Sequence, residues 1–202
     1  MTTEGLTSLL AEHPFFAGMN ADDLALIAGC ARNARFNAGD YLFRDGSEAT
    51  EFFLIRSGSV SIEVHAPGRG TMSLGTVQDG DIVGFSWLMP PHRWMFDARA
   101  VQTARALVFD GACLRGKCDR DPRLGYDLMK RVARVMIDRI QSLRDEACRN
   151  TAYELLAHTE RRALDVATIL GYSDAAAFTR AFRRWSGTTP AAWRAGSRGR
   201  RW

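Results

Sequence analysis

The sequence predicts an α+β protein: a jelly roll of short β-strands, then one long helix, then a small all-α unit. Three observations predict it. Between about residues 35 and 110, short runs rich in β-branched and aromatic residues are separated by turn signals at roughly ten-residue intervals. After Gly125 the glycines and prolines stop, and apolar residues recur at alternating steps of four and three. The last fifty residues alternate helical runs with breaks at Gly171, Gly187 and Pro190.

The elements follow in order. A short helical start precedes HPFFAGMNADDLALIAGCA, where Asn20 or Ala21 opens a helix. Asp22 and Asp23 suit its positive end, and Leu24, Ile27 and Ala28 repeat at helical spacing. From Arg35 the period changes to that of strands. The turns are Ala38-Gly39-Asp40, Asp45-Gly46, Ser57-Gly58, Gly68-Arg69-Gly70 and Asp79-Gly80-Asp81. Strands resume at ARAVQTARALVFDG, with Val101, Ala104 and Leu107 to Phe109 as apolar positions.

In the long helix, Met129, Ala133, Met136, Ile140, Leu143 and Ala147 form an a/d seam of about three heptads. A second strip, Leu128, Val132 and Val135, suits docking on the roll. Ala152 to His158 reads as the next helix. Leu164 to Leu170 follows and ends at Gly171. A third runs to about Trp185 with Ser173 as its N-cap, and Pro190 opens a last short one.

Composition narrows the function classes. Hydrophobic residues make up 46% of the 202, enough for a real core. No apolar run reaches the length of about 18 residues that a membrane helix needs. The N-terminus carries Glu4 and Glu12 and no early basic residue, so it does not read as a secretory signal. Cys30, Cys113, Cys118 and Cys148 are scattered without a CxxC. The expectation is free or buried thiols in a reducing cytoplasm, with no zinc or other metal site and no disulfide framework. Net charge is +4, concentrated at the end: residues 150–202 hold nine arginines against four acids. Such a basic module beside a near-neutral one suits a polyanion, above all nucleic acid.

AGDYLFRDG, EFFLIRSGSVSIEV and the DGDIVG turn, flanked by helices, resemble the cyclic-nucleotide-binding fold of CRP/FNR-type regulators over roughly residues 10–148. The resemblance implies that the long helix dimerises. In family members that bind a cyclic nucleotide, a glutamate after the glycine takes the ribose hydroxyl and an arginine holds the phosphate. Here Gly84 is followed by Phe85, Ser86 and Trp87. Phe85 stands at the glutamate position, and Trp94, with Arg93 beside it, at the arginine position. The expectation is an altered pocket with an effector other than cyclic AMP. Phe85, Ser86, Trp87, Trp94 and Phe96 are its candidate lining, and Arg93 or Arg99 its anchor for an anionic group. No cofactor is identified. His92, between Pro91 and Arg93, reads as a loop residue rather than a haem ligand, and the cysteine cluster of an iron–sulfur sensor is missing.

A short helix, a glycine turn and a second helix make a helix-turn-helix. LGYSDAAAFTRAFRRWSGTTPAAWR resembles the C-terminal signature of AraC/XylS-type regulators at Ala167, Leu170 to Asp174, Phe178, Arg180, Phe182, Gly187, Pro190 and Arg194. By that resemblance, Ala175, Ala176, Thr179 and Arg180 are the base-reading positions in the major groove. Arg183, Arg184 and Arg194 are candidate phosphate contacts. CRP/FNR regulators normally end in a winged helix-turn-helix, and AraC-type regulators normally carry two helix-turn-helices. This chain shows no winged segment and only the second AraC-type helix-turn-helix, half of such a reader.

The chain therefore reads as four segments: a sensor roll at 1–126, a dimerisation and linker helix at 127–149, a helix-turn-helix domain at 150–196 and a basic tail at 197–202. The expected function is a cytoplasmic, one-component transcriptional regulator that reads double-stranded DNA as a homodimer through residues 127–149, with no membrane partner. The alternative is a sensor or interaction module whose half reader does not bind specific DNA. Catalysis has no support, because the four histidines (His13, His65, His92, His158) lie far apart and no nucleophile–base motif is visible.

Overall fold

The computed structural model describes residues 3–68 and 70–198, with side chains for 5–68 and 70–196. Arg69 and the last four residues of the expected basic tail lie outside the described residues. The chain divides into two compact units between Val135 and Met136.

The first unit opens with α1 (Thr3–Ala11), a 3-10 turn at Pro14–Phe16 and α2 (Ala21–Ala28). Asn20 caps α2, its side-chain oxygen accepting from the Asp23 N–H at 2.8 Å. Eight strands follow: β1 (Ala31–Phe36), β2 (Tyr41–Phe43), β3 (Glu51–Ser57), β4 (Val60–Ala66), β5 (Gly70–Val77), β6 (Ile82–Val83), β7 (Asp97–Ala100) and β8 (Ala104–Asp110). They form two antiparallel sheets in the orders β1-β8-β3-β6 and β2-β7-β4-β5. This is the predicted roll. Val101 does not extend it; the residue sits in the turn after β7 and is exposed.

β3 and β8 read as continuous apolar runs because both faces of their sheet are covered. Phe52, Leu54, Leu107 and Phe109 point into a core shared with Leu10, Phe16 and Ile27 of the N-terminal segment. The alternate residues Phe53, Ile55, Ala106 and Val108 point into the roll interior between the sheets. There, Ala98, Ala100, Ala104 and Ala106 leave room for the large rings of Phe43, Phe53 and Trp94. The turn into β4 requires glycine: Gly58 has φ +99°, and a Cβ would lie 2.5 Å from the Thr103 carbonyl oxygen.

α3 (Gly111–Arg120) is capped by Asp110, which accepts from the Cys113 N–H at 2.7 Å. α4 (Pro122–His158) has 37 residues, about 55 Å at helical rise. Pro122 occupies a position where its missing N–H costs nothing. Leu124, Leu128 and Val132 are buried in the first unit's core, and Val135 packs against it. The strip expected to lie on the roll does so. Arg123 grips the buried Asp23 with two bonds of 2.9 Å, and Arg131 donates to the Phe15 and Ala17 carbonyls at 2.6 and 2.9 Å. The short helix expected at Ala152–His158 is instead the end of α4, since nothing in the preceding sequence breaks it.

In the second unit, Ala152 and Leu156 of α4 pack with Val166 and Ala167 of α5 (Ala163–Ile169) and Phe178 and Phe182 of α6 (Ala175–Ser186). α7 (Pro190–Arg198) adds Trp193, which lies flat on Tyr153 at 4.9 Å between ring centroids. The N-cap of α6 is Asp174, not Ser173 as expected. The Asp174 carboxylate accepts from the Ala177 N–H at 2.7 Å, and the Ser173 hydroxyl donates to that carboxylate. A carboxylate is the stronger acceptor at a helix's positive end.

The cysteine expectation is corrected. Cys30 and Cys113 form a disulfide across 83 residues, while Cys118 and Cys148 are free thiols. Spacing could not reveal the pair. The β1–β8 register, with Ala31 opposite Phe109, brings the two positions together. By loop entropy, a crosslink of that span contributes up to about 4.5 kcal/mol.

Candidate nucleic-acid interface

α5 ends at Ile169 with Leu170 as its C-cap, and Gly171 takes φ +76°, which glycine accepts cheaply, so the chain turns at once toward α6. Buried Phe178, Ala181 and Phe182 then fix which face of α6 is outward. Ala176, Arg180, Arg183 and Arg184 lie exposed, and Ala175 and Thr179 half-exposed. These six expected residues come together on one helix. The Thr179 hydroxyl donates to the Ala175 carbonyl at 2.7 Å, which leaves its methyl group and an oxygen lone pair for contacts outside the helix.

Two carboxylates pin the motif's ends. Asp174 is held below the ordinary carboxylate range by the Ala177 N–H first and the Ser173 hydroxyl second. Asp165 is lowered by the Arg162 N–H and side chain at the start of α5. Both stay ionised at neutral pH and satisfy helix donors.

Arg194 stands apart from the other expected contacts. It lies on α7, and its guanidinium donates inward, to the Leu156 carbonyl at 3.2 Å and to the Arg161 carbonyl. It ties α7 to the end of α4.

The expected pocket residues of the roll do not converge. Trp87 is 1% exposed in the core under the helices, stacked near Phe52, whereas Trp94 is 5% exposed in the interior between the sheets. Phe85 packs against the first core, Ser86 opens a 3-10 turn at Ser86–Leu88, and Phe96 is exposed. Arg93 donates to the Gly46 carbonyl at 2.7 Å. Arg99 is bound in two-point fashion by the Glu63 carboxylate, at 2.8 and 3.1 Å. That pairing, chiefly the hydrogen bonds from Arg99, holds the Glu63 carboxyl below its usual range. His92 is a loop residue that follows a cis Pro90–Pro91 bond, and its carbonyl accepts from the Ala49 N–H at 2.7 Å. An open groove of the first unit lies elsewhere, lined by Leu9, His13, Pro14, Ile55, Arg56 and Gly80. Among the described residues, no group of three or more His, Cys, Asp or Glu is placed to hold a metal ion, and no helix is long and apolar enough to cross a membrane.

Sequence reasoning missed the partners that only folding supplies: Glu63 for Arg99, Asp23 for Arg123, Cys113 for Cys30. Each pair is separated by 36 residues or more, and no local pattern signals it.

Residues 34–121 match the family model of the cyclic nucleotide-binding domain, and residues 127–196 match that of a helix-turn-helix domain. A protein of Rhodopseudomonas palustris named as a potassium channel is 31% identical over 118 residues, 58% of this chain and 28% of that one. The anaerobic regulatory protein of Bacillus subtilis is 26% identical over 125 residues, 61% of this chain and 52% of that one. The chain thus spans about half or less of these relatives' own length. The sensor domain of the transcriptional regulator DNR from Pseudomonas aeruginosa has the same fold, with a TM-score of 0.57 at 19% identity over 69% of this chain and 93% of that one. The chain thus resembles a cyclic nucleotide-binding domain over the roll and α3, followed by a helix-turn-helix domain over most of α4 and α5 to α7.

Proposed function

We propose that this chain is a one-component transcriptional regulator whose helix-turn-helix reads the major groove of double-stranded DNA as a dimer. One observation carries the reading: the two-sided division of α6. Phe178 and Phe182 are buried, and Ala175, Ala176, Thr179 and Arg180 face outward near the helix start, where such helices meet base edges. Arg180 pairs with a guanine, and the two alanines touch thymine methyl groups. Arg183 and Arg184, further along, hold phosphates. Arg194, which faces inward, supports the domain more than it contacts DNA.

Dimerisation rests on the apolar seam of α4. Met129, Met136, Ile140 and Leu143 are all exposed in a single copy of the chain, Ile140 by 65%. Lone apolar residues at a/d spacing suit a second copy of the same helix. One recognition helix binds weakly; a pair reads two half-sites one helical turn of DNA apart or a multiple of it. Work on DNA places the chain in the cytoplasm. Its roll responds to a small molecule other than cyclic AMP, because Trp94 fills the interior where the family's phosphate-holding arginine is expected.

Selection of sites from random duplex DNA, at several salt concentrations and in parallel with Arg180→Ala, tests the reading. A two-part motif is expected, with about 1–3 kcal/mol of discrimination lost in the variant at one position of each half-site. Binding that fades with salt and ignores the substitution would defeat it and favour the interaction-module alternative.

A further inference from the structure

We propose that Cys30 and Cys113 are a reversible thiol–disulfide site through which a dithiol reductant loosens α3 and the start of α4. The compartment argument rests on the DNA-reading proposal: where DNA is read, thiols are kept reduced, and a disulfide found there is commonly redox-sensing rather than structural.

The geometry is that of a reactive pair. Cys30 is 7% exposed, while Cys113 is half-exposed, so an incoming thiolate reaches Cys113 first. Cys113 lies in the first turn of α3, where peptide dipoles favour a thiolate. Lys117 lies one turn further on. It crosses to the end of α2, donates to the Leu26 carbonyl, and comes within 3.4 Å of where a Cβ of Gly29 would sit, beside Cys30. The Lys117 amine thus lies beside the residue that precedes Cys30.

The exchange balances with one co-reactant, a dithiol–disulfide couple. A reductant thiolate attacks Cys113 Sγ. The Cys113–Cys30 bond breaks, and its electron pair leaves on Cys30 Sγ, which takes a proton. The reductant's second thiol then gives up its proton, attacks the reductant's own sulfur in the mixed disulfide and releases Cys113 as a thiolate, which takes that proton. The protein gains two electrons and two protons, and the reductant becomes a disulfide; the reverse sequence re-oxidises the protein. Cys118, five residues along, does not compete. Burial, and then Asp119 and Asp121, push its thiol up and keep it protonated.

Opening the bond leaves the roll intact. The Asp110 N–H still donates to the Cys30 carbonyl at 2.9 Å, and the Gly111 N–H to the Thr50 carbonyl at 2.7 Å. Reduction frees the helical part beyond them. α3 then rests on buried Leu114, on Lys117 and on the Arg115 bond to the Trp87 carbonyl at 2.7 Å. α3 is followed at once by α4, whose first turns, with Leu124, Leu128 and Val132, share the first unit's core.

The test titrates the whole native chain in reduced and oxidised dithiothreitol at neutral pH, with thiols trapped by maleimide and counted by mass. Cys30 and Cys113 should change together in one two-electron transition that persists in Cys118→Ser. Hydrogen exchange of amides 111–135 should be at least tenfold faster in the reduced form, and the Cys30→Ser/Cys113→Ser variant should show the fast rate in either buffer. A bond that resists excess thiol until the chain is unfolded, or exchange that ignores its state, overturns the proposal. DNA binding absent from both forms while the transition remains would defeat the DNA-reading proposal and leave the redox site standing.

Discussion

Trp94 lies flat on Phe43, their ring centroids 3.9 Å apart and their planes within 14°. The stack fills the space between the two sheets, and Gly84 borders it closely: a Cβ there would fall 2.8 Å from the Trp94 ring, at a φ of +90°.

Trp94 should therefore behave as core. Trp94→Ala should cost about 3–5 kcal/mol, the range for removing a buried aromatic ring. Gly84→Ala should also destabilise, through both strain and overlap. Thermal unfolding measures both, and cyclic AMP at millimolar concentration should leave the wild-type melting temperature unchanged. A cyclic AMP-dependent rise would show that the interior opens.

Arg194 and Arg183 should separate on salt dependence. Arg183→Ala should lower the slope of log affinity against log salt by about one, as expected for one lost phosphate contact. Arg194→Ala should leave the slope unchanged and lower the thermal stability of the second unit, because its bonds run to Leu156 and Arg161. Arg194→Lys should not rescue stability, since an ammonium lacks the fork that meets two carbonyls.

Ile140→Asp places a charge on the exposed α4 seam. Sedimentation should show a dimer for the wild-type chain and a single copy for the variant, with far-UV circular dichroism unchanged, and specific DNA affinity should fall at least tenfold. A dimer that survives the substitution would place the interface elsewhere.

Stability should fall on the acid side. Asp174, Asp165 and Glu63 all have folded-state carboxyls held below their unfolded values. Their contribution is complete above the unfolded carboxylate range near pH 4 and is lost as the pH falls through the lower folded values. Asp174→Asn keeps a capping oxygen but cannot titrate. The gap in melting temperature between it and wild type should be present at pH 7 and narrow as the pH falls below the unfolded carboxylate range.

Local chemistry made much of the architecture readable. Glycine and aspartate turns marked out the strands of the roll, and the four-and-three spacing marked α4. Gly171 with Phe178 and Phe182 located the helix-turn-helix and its outward face, because a short helix has only one way to bury two rings four residues apart. The lengths of α4 and the identity of the α6 cap were misread by small steps, since neighbouring helix formers and adjacent Ser173 and Asp174 offer the same local signal. What could not be read from the chain were meetings between distant segments. Trp87 and Trp94 belong to one aromatic stretch, yet they enter opposite sides of the β3–β8 sheet, so the stretch supplies two cores rather than one pocket. Cys30 meets Cys113, and Glu63 takes Arg99, because strand register brings them together. Register is set by how all eight strands bury their alternate faces at once, a condition on the whole roll that no window of sequence contains.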